Sequence, residues 1–276
     1  GPERRPHLPA LTSLRFVAAL WVVLFHYGRE FLALAERPAK DLQKIGYVGV
    51  SFFFVLSGFV LAYTYAGRAF TPGAFWRARF ARIYPVYAVA MAASVPAALA
   101  TRPEEIAMRL FALQAWFPSH VGDWNFASWS ISTEAFFYLL FPFALPLVEK
   151  VRRPWVSVIL FAMLAILPPL LWVLFRPPGP PTSVATAGFA NHVVKFWPPL
   201  RLAEFLAGVA AGVAFVRFGP PKRAGLGWGV AGLAIALAAT FRAKLPWEVL
   251  HDGLLTFPFV GAIVAAAAGK GTVASL

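Results

Sequence analysis

Long apolar runs alternate with short polar or proline-rich segments along almost the whole chain. Runs of about 18 to 22 apolar residues match the length of helix needed to cross the hydrocarbon layer of a bilayer. A shorter amphipathic segment, 105–118, is predicted to lie at the interface or to re-enter the membrane. The pattern predicts an all-α, polytopic helical membrane bundle with about eight transmembrane helices plus this short helix. The predicted spans lie near 14–34, 46–66, 83–100, 131–148, 155–175, 200–217, 226–241 and 247–269.

Composition supports a membrane protein. Apolar residues make up 59% of the 276 residues and charged residues only 13%, far from the balance of soluble domains. The net charge of +13 would favour nucleic-acid binding in a soluble protein. Here the basic residues lie mainly between apolar runs, as the positive-inside rule requires, so we expect a lipid bilayer and no nucleic acid as partner. The absence of cysteine excludes disulfides, thiolate zinc sites and a cysteine nucleophile.

The distribution of basic residues predicts the orientation. The segment Arg68–Arg82 carries four arginines and no acidic residue. If 105–118 does not cross the membrane, this segment and Lys150–Arg153 lie on the same side, which we expect to be cytoplasmic. We therefore predict a multi-pass protein of the cell (inner) membrane with a cytoplasmic N-terminus.

Two ionisable residues stand out in the first apolar run, LRFVAALWVVLFHY. Arg15 and His26 are eleven positions apart, which on a helix gives ~16 Å of rise and nearly the same face. Ionisable side chains inside a membrane are expensive and are therefore functional candidates. The alternative is that Arg15 extends to the interface and His26 is hydrogen-bonded at the far end of the helix.

Small residues recur along the second span, GYVGVSFFFVLSGFVLAYTY. Their spacing favours close helix packing. The functional alternative is that Ser57 and Gly58 let a thin substrate chain pass beside the backbone.

The segment FWRARFARIYPVY that follows is predicted to be a cytoplasmic loop, with Tyr84 and Pro85 starting the third span. Arg79 and Arg82, three apart, would share one face of a helix. Paired guanidinium groups suit phosphates, because each fork binds two oxygens at once. The alternative is that they only set the topology and contact anionic lipids.

The segment SWSISTEAFFYLLFP predicts the start of another span. Ser130 or Ser132 is a candidate N-cap, and Glu134 would lie in the first turn, which would explain this carboxylate by capping alone. Ser128, Trp129 and Ser130 are the neighbouring candidates for substrate contact.

The remaining polar residues in apolar surroundings are weaker signals. Arg201 and Glu204, three apart, could neutralise each other. His251 and Asp252 lack a third partner at metal-ligand spacing, as do His120 and Asp123, so no metal site is expected.

The order and wording of five segments together resemble the integral-membrane acyltransferase family 3, O-acyltransferases that modify polysaccharides, glycolipids and macrolides. They are LTSLRFVAALWVVLFHY, GVSFFFVLSGFVLAY, FWRARFARIYPVY, SWSISTEAFFYLLFP and RLAEFLAGVAAG. The family's Arg-x10-His matches Arg15 and His26, and its Arg-x-x-Arg matches Arg79 and Arg82. Its Ser-Trp-Ser…Glu segment matches the residues Ser128, Trp129, Ser130 and Glu134.

Two departures from the family pattern matter. Many members carry Asp-Gly before the first arginine, where this chain has Thr12 and Ser13, so no acidic partner is expected there. Members also have later spans that this chain lacks. We therefore expect one transmembrane acyltransferase domain over 1–276, without the C-terminal helices of other members.

The resemblance implies transfer of an acyl group from acyl-CoA, with acetyl-CoA the expected donor, to a hydroxyl of a carbohydrate, glycolipid or macrolide-type acceptor. A neutral histidine suits a general base, because its ordinary pKa lies near working pH. We predict that His26, buried in apolar surroundings, is this base and that Glu134 orients it or shapes the acceptor cleft. Arg15, Ser57, Arg79 and Arg82 are predicted to contact the donor. A covalent acyl-histidine relay remains open, and the rival class is a proton-coupled transporter or flippase.

Overall fold

Helices make up all the regular structure of the described residues. The computed structural model describes residues 5–32, 35–94, 103–117, 120–121, 125–176 and 188–269. The helices in the first half of the chain are α1 (Pro9–Tyr27), α2 (Arg37–Lys44), α3 (Gly49–Tyr65), α4 (Pro72–Ala93), α5 (Pro103–Leu110) and α6 (Trp129–Glu149). Those in the second half are α7 (Pro154–Phe175), α8 (Phe189–Phe196), α9 (Pro198–Phe218), α10 (Leu226–Phe241), α11 (Trp247–His251) and α12 (Thr256–Ala268). Short 3₁₀ turns cover Gly46–Val48, Gln114–Trp116 and Phe126–Ser128.

Six segments within this part of the chain are long and apolar enough to cross a bilayer, and α10 is a shorter apolar helix. The all-α membrane architecture predicted from the hydropathy pattern is confirmed. The six segments are Pro9–Tyr27, Gly46–Tyr65, Phe126–Glu149, Pro154–Phe175, Phe189–Phe218 and Trp247–Ala268. The single domain over 1–276 stays a prediction.

The prediction that the third span starts at Tyr84 and Pro85 is wrong. The expected loop is helical, because α4 begins at Pro72 and runs through the arginines to Ala93. The side chain of Thr71 accepts a hydrogen bond from the amide of Ala74, and Pro72 occupies the first helical position. These two start signals lie ahead of Pro85, which the helix accommodates in its interior. Residues 95–100, the end of the predicted span, lie outside the described residues.

The structure divides into two compact units. Unit 1 comprises residues 1–68, 148–174 and 203–276, and unit 2 comprises 69–147 and 175–202.

Glycine-mediated helix contacts organise unit 1. A Cβ at Gly58 of α3 would overlap the carbonyl oxygen of Phe205 in α9, and a Cβ at Gly208 would overlap the carbonyl of Val55 in α3. The backbones of α3 and α9 therefore touch, as small residues permit in membrane helices. On another face of the same span, Gly46 and Gly49 lie against α1.

The far end of α1 is tied down by α2. The Gln43 side-chain amide donates to the carbonyls of Leu24 and Phe25 at 2.8 and 3.2 Å, and the Trp21 indole N–H donates to the carbonyl of Leu42 at 2.8 Å. Satisfying these terminal carbonyls stabilises the last turn of α1, which carries His26.

A polar network organises the other unit around α5. Arg109, buried in α5, donates to the carbonyl of Glu105 at 3.4 Å and to that of His120 at 2.9 Å. The Gln114 side-chain amide donates to the Ser128 carbonyl at 2.7 Å and to its hydroxyl at 3.1 Å. This network holds the segment after α5 against the start of α6.

Candidate active site

The predicted site residues are divided between the two units. Arg15, His26 and Ser57 belong to unit 1, and those of α4 and α6 belong to unit 2. Within unit 1 the shared helix of Arg15 and His26 is as expected, since both lie on α1.

His26 lies in the last turn of α1, and its side chain is exposed. The expectation that it is buried is therefore wrong. Its Nδ1 lies 2.8 Å from the carbonyl oxygen of Val22. Because a carbonyl only accepts, Nδ1 carries the hydrogen in this contact, and in the neutral form of the ring Nε2 has the lone pair. The Phe25 ring contacts the imidazole edge-on at a centroid distance of 4.9 Å.

The small residues of α3 provide helix packing rather than a passage at Gly58. The space beside Gly58 is filled by the backbone of Phe205, so no substrate chain fits there. Ser57 is buried beside this contact, and its role in donor binding stays a prediction.

An open groove lies between α4 and α6 in unit 2, with a volume of about 230 Å³. The residues of its α4 wall recur every three or four positions, which is the spacing of one face of a helix. The sequence FWRARFARIYPVY has this spacing, so the wall could have been predicted if the segment had been expected to be helical. On α4 the lining residues are Trp76, Arg79, Phe80, Ile83, Tyr84 and Tyr87. On α6 they are Ile131, Ala135, Tyr138 and Leu139, and Ala112 contributes after α5.

The two helices that form the groove run in opposite directions. At one end the Trp76 indole N–H donates to the carbonyl of Tyr138 at 3.1 Å. At the other end Gln114, which contacts Ser128 just before α6, also approaches the hydroxyl of Tyr87 at 3.4 Å. The groove thus extends for ~16 Å, the rise of the eleven residues from Trp76 to Tyr87.

The two arginines of the Arg-x-x-Arg motif differ in environment. Arg79 is half-buried and lines the groove, with its guanidinium carbon 5.8 Å from the centroid of the Phe75 ring. Arg82, one turn along, is exposed and is not among the groove-lining residues of the described chain. The two side chains therefore do not form one equivalent pair.

Glu134 has a partner that the sequence did not predict. The Tyr138 hydroxyl, one turn along α6, donates to its carboxylate. Because α6 begins at Trp129, Glu134 lies beyond the first turn, so its explanation as a capping residue is wrong. The carboxylate instead fixes a tyrosine in the groove wall.

The serines near the start of α6 make structural hydrogen bonds. Ser128 is buried and accepts from Gln114. Ser130 donates to the carbonyl of Ala127 at 3.0 Å, and the Ser132 hydroxyl accepts from the amide of Ala115 at 3.3 Å. Substrate contact by Ser128 and Ser130 stays a prediction.

Trp129 meets a residue from a distant motif. The Arg201 guanidinium carbon lies 5.9 Å from the centroid of its ring, and the Phe196 ring contacts it edge-on at 5.0 Å. All three are buried. Two segments that matched the family separately are therefore in contact within unit 2.

Unit 1 contains a buried polar cluster whose residues were expected from the sequence to be only weak functional signals. His251 and Asp252 are both buried and joined through Nδ1 and Oδ1, and the ring of Tyr47 stacks on His251 at 5.3 Å. Glu204 accepts from the amide of Gly253 at 3.1 Å. The sequence indicates such a cluster, because three ionisable residues, Glu248, His251 and Asp252, lie inside the predicted span 247–269 and ionisable residues inside a membrane are functional candidates. Across the described residues no group of three or more His, Asp or Glu side chains is arranged to hold a metal ion.

The six helical segments long and apolar enough to cross a bilayer in the described residues indicate a multi-pass membrane protein. Residues 8–272 match the family described as an acyltransferase domain, and the chain belongs to this family, acyltransferase family 3.

Curated relatives support the same class. Acyltransferase MdmB of Streptomyces mycarofaciens is 35% identical over 260 residues, covering 87% of this chain and 64% of the relative. Peptidoglycan O-acetyltransferase OatA of Listeria monocytogenes is 24% identical over 295 residues, covering 95% of this chain and 44% of the relative. Exopolysaccharide production protein ExoZ of Rhizobium meliloti is 34% identical over 128 residues, 43% of this chain and 40% of the relative. The chain therefore spans less than two thirds of each of these relatives. No solved structure matches it.

Proposed function

We propose that the protein is an O-acyltransferase that moves an acyl group from acyl-CoA to a hydroxyl of a carbohydrate, glycolipid or macrolide acceptor. Family membership over residues 8–272 supports acyl transfer, and the names of MdmB, OatA and ExoZ motivate these acceptor classes. The transporter or flippase alternative has no comparable support.

The hydrogen bond that orients His26 is the observation that carries the proposed mechanism. With Nδ1–H donating to the carbonyl of Val22, the Nε2 lone pair is available to take a proton from the acceptor hydroxyl. The hydroxyl oxygen attacks the thioester carbon, the C–S bond breaks, and the protonated imidazole returns the proton to the departing sulfur. An acyl-histidine relay would use the same lone pair as nucleophile.

The remaining site residues have supporting roles in this proposal. Arg79 and Arg82 hold the phosphates of CoA, and Arg15 positions the donor near the cytoplasmic interface. Glu134 shapes the acceptor cleft by holding Tyr138. The N-terminus lies in the cytoplasm, where acyl-CoA is available, and the protein resides in the cell membrane.

The test measures thiol release by the purified protein in lipid nanodiscs. Because the chain has no cysteine, a thiol reagent reports only free CoA. Acetyl-CoA with a panel of polysaccharide, glycolipid and macrolide acceptors should release CoA and yield acylated product in equal amounts. Release that is independent of every acceptor, or acceptor acylation without CoA release, would refute the proposed reaction.

A further inference from the structure

His26 lies at a helix end that needs support from other parts of unit 1. It is exposed in the last turn of α1, and terminal turns fray because their carbonyls lack partners within the helix. A general base must be held to within about 0.5 Å of its productive position, and a misplacement of ~1 Å can cost ~100-fold in rate. The ring of Phe25, half-buried, contacts the imidazole edge-on, so a residue that fixes Phe25 also restrains His26.

Three rings form a continuous series from His26 into the interior of unit 1. The ring of Phe25 meets that of Tyr47 edge-on, with the centroids 5.3 Å apart. Tyr47 in turn stacks on His251 at 5.3 Å, with 14° between the ring planes. The 3₁₀ turn that carries Tyr47 packs directly against α1, since a Cβ at Gly46 would lie 2.8 Å from the Cβ of Phe25. We call Phe25, Tyr47 and His251 the aromatic bridge.

The inner end of the aromatic bridge is anchored to the helices of the unit. The carboxylate of Asp252 bonds Nδ1 of His251 and so fixes the rotation of its ring. The backbone carbonyl of His251 accepts from the hydroxyl of Ser51 in α3 at 3.0 Å. The turn that follows is held as well, because the amide of Gly253 donates to Glu204 of α9 at 3.1 Å. His251 is thus tied to α3 and α9, whose backbones touch.

We propose that Tyr47 and His251 are positioning residues for acyl transfer. Acting through Phe25, they hold the last turn of α1, and with it Nε2 of His26, in the geometry that proton transfer needs. Their contribution is the ring and not a proton, since His251 is buried and reaches His26 through the two other rings. The inference rests on the role of His26 as general base proposed above.

The experiment measures kcat and CoA affinity for variants of the full chain in nanodiscs, with acetyl-CoA and the acceptor of the panel above that gives the most product. Tyr47→Leu should lower kcat ~10–100-fold with unchanged CoA affinity, because the base is displaced while the donor site is intact. Tyr47→Phe keeps the ring and should keep the wild-type kcat. Phe53→Leu removes a half-buried ring from α3 in the same unit and is the control for lost packing, with kcat unchanged.

Two double variants separate the ring of His251 from its proton. His251→Phe with Asp252→Leu keeps a ring and removes both polar partners together, a change that is nearly neutral when the shapes are preserved, so kcat should stay close to that of the wild type. His251→Leu with Asp252→Leu lacks the ring and should lose ~10–100-fold in kcat.

A third double variant tests whether the rings act in series. Phe25→Leu combined with Tyr47→Leu should be no slower than the slower of the two single variants, because either change alone already interrupts the aromatic bridge. Two independent contributions to kcat would instead multiply, which would contradict the series arrangement.

The imidazole nitrogens of His26 provide a second measurement, which requires no acceptor. In NMR spectra with ¹⁵N-labelled histidine, the wild-type protein should show His26 with its hydrogen on Nδ1. Tyr47→Leu should show exchange between the two tautomers, and Phe53→Leu should not. The His26 signal is identified by its loss in His26→Ala.

The outcomes distinguish this inference from the proposed function. Wild-type kcat in Tyr47→Leu, or an equal loss in Phe53→Leu, would overturn the inference even though His26→Ala lost transfer. A loss in His251→Phe with Asp252→Leu as large as that in His26→Ala would make His251 a participant in proton transfer and end its role as a positioning residue. Full transfer by His26→Ala would refute the proposed base itself, and the inference with it.

Discussion

The guanidinium carbon of Arg201 lies 5.9 Å from the centre of the Trp129 ring, and both side chains are almost fully buried. Trp129 belongs to the Ser-Trp-Ser segment and Arg201 begins the last of the family motifs. A cation over an indole face gains ~2 kcal/mol or more when both groups are desolvated. This contact therefore gives the two motifs a common structural purpose in unit 2.

A double-mutant cycle with Arg201→Met and Trp129→Leu should show a coupling free energy of ~1–2 kcal/mol in unfolding. The measurement is reversible unfolding followed by fluorescence or scanning calorimetry in detergent. Lys244 lies 6.0 Å from the centroid of the Phe241 ring, and both residues are exposed. The matched cycle there should give ~0.5 kcal/mol or less. Equal couplings at the two sites would contradict the role assigned to burial.

Gly208→Ala should lower the unfolding free energy by ~1–3 kcal/mol, because the added methyl group overlaps the carbonyl of Val55 and overpacks the contact. Gly58→Ala should act in the same direction. Gly229→Ala and Gly232→Ala are the controls, since nothing lies within 4 Å of a Cβ at either position of α10. These should be neutral or stabilising by up to ~1 kcal/mol. Tolerance of alanine at Gly208 would argue against direct backbone contact between α3 and α9.

His26→Ala should reduce acyl transfer by ~10²–10⁴-fold, the usual loss for a general base, with little change in the affinity for CoA. Transfer is measured as acylated product and binding as CoA affinity. His7→Ala, at an exposed position before α1, should leave both unchanged. Full transfer by His26→Ala would remove His26 from the mechanism.

Arg79→Lys should weaken CoA binding ~10-fold, because lysine keeps the charge but loses the two-pronged contact with phosphate. Arg82→Lys should have a smaller effect, since Arg82 is exposed and its interactions are screened by salt. Binding is measured by calorimetry at low and high salt. Arg223→Lys, at an exposed position of unit 1, is the control. Unchanged affinity with altered membrane orientation would instead support a topological role for the arginines.

Single cysteines at Ala69, Pro103 and Lys150 test the predicted topology, because the chain has no native cysteine. If α5 does not complete a crossing, an impermeant thiol reagent added to intact cells should label position 103 and not positions 69 or 150. Labelling of position 150 together with protection of position 69 would show that the chain crosses the membrane between α4 and α6 once more or once fewer than predicted.

Hydropathy predicted most of the fold because the bilayer demands long apolar helices whose backbone groups are satisfied internally. It failed at α4, where three arginines lowered the apolar signal although Thr71 and Pro72 provide a strong helix start. The groove was not predicted because it depends on two helices meeting, which no local pattern contains. The partner of Glu134 could have been predicted from the sequence, since Tyr138 lies one turn away on the same helix. Burial of the pair His251 and Asp252 could also have been predicted, because both residues lie inside a predicted span.

Unit 1 is assembled from three separate stretches of chain, and this has a consequence for biosynthesis. Arg242 contacts the carboxylate of Asp41 at 3.0 Å, a pairing of residues 201 positions apart. The segments that contain α9 and α10 must therefore be synthesised before α2 and α3 can form their contacts with them. Until then the apolar and small-residue faces of α1 and α3 are exposed to lipid or to chaperones, and contacts between distant residues form slowly. Production of this protein should accordingly depend more on the rate of membrane insertion and on insertion factors than its thermal stability alone would indicate.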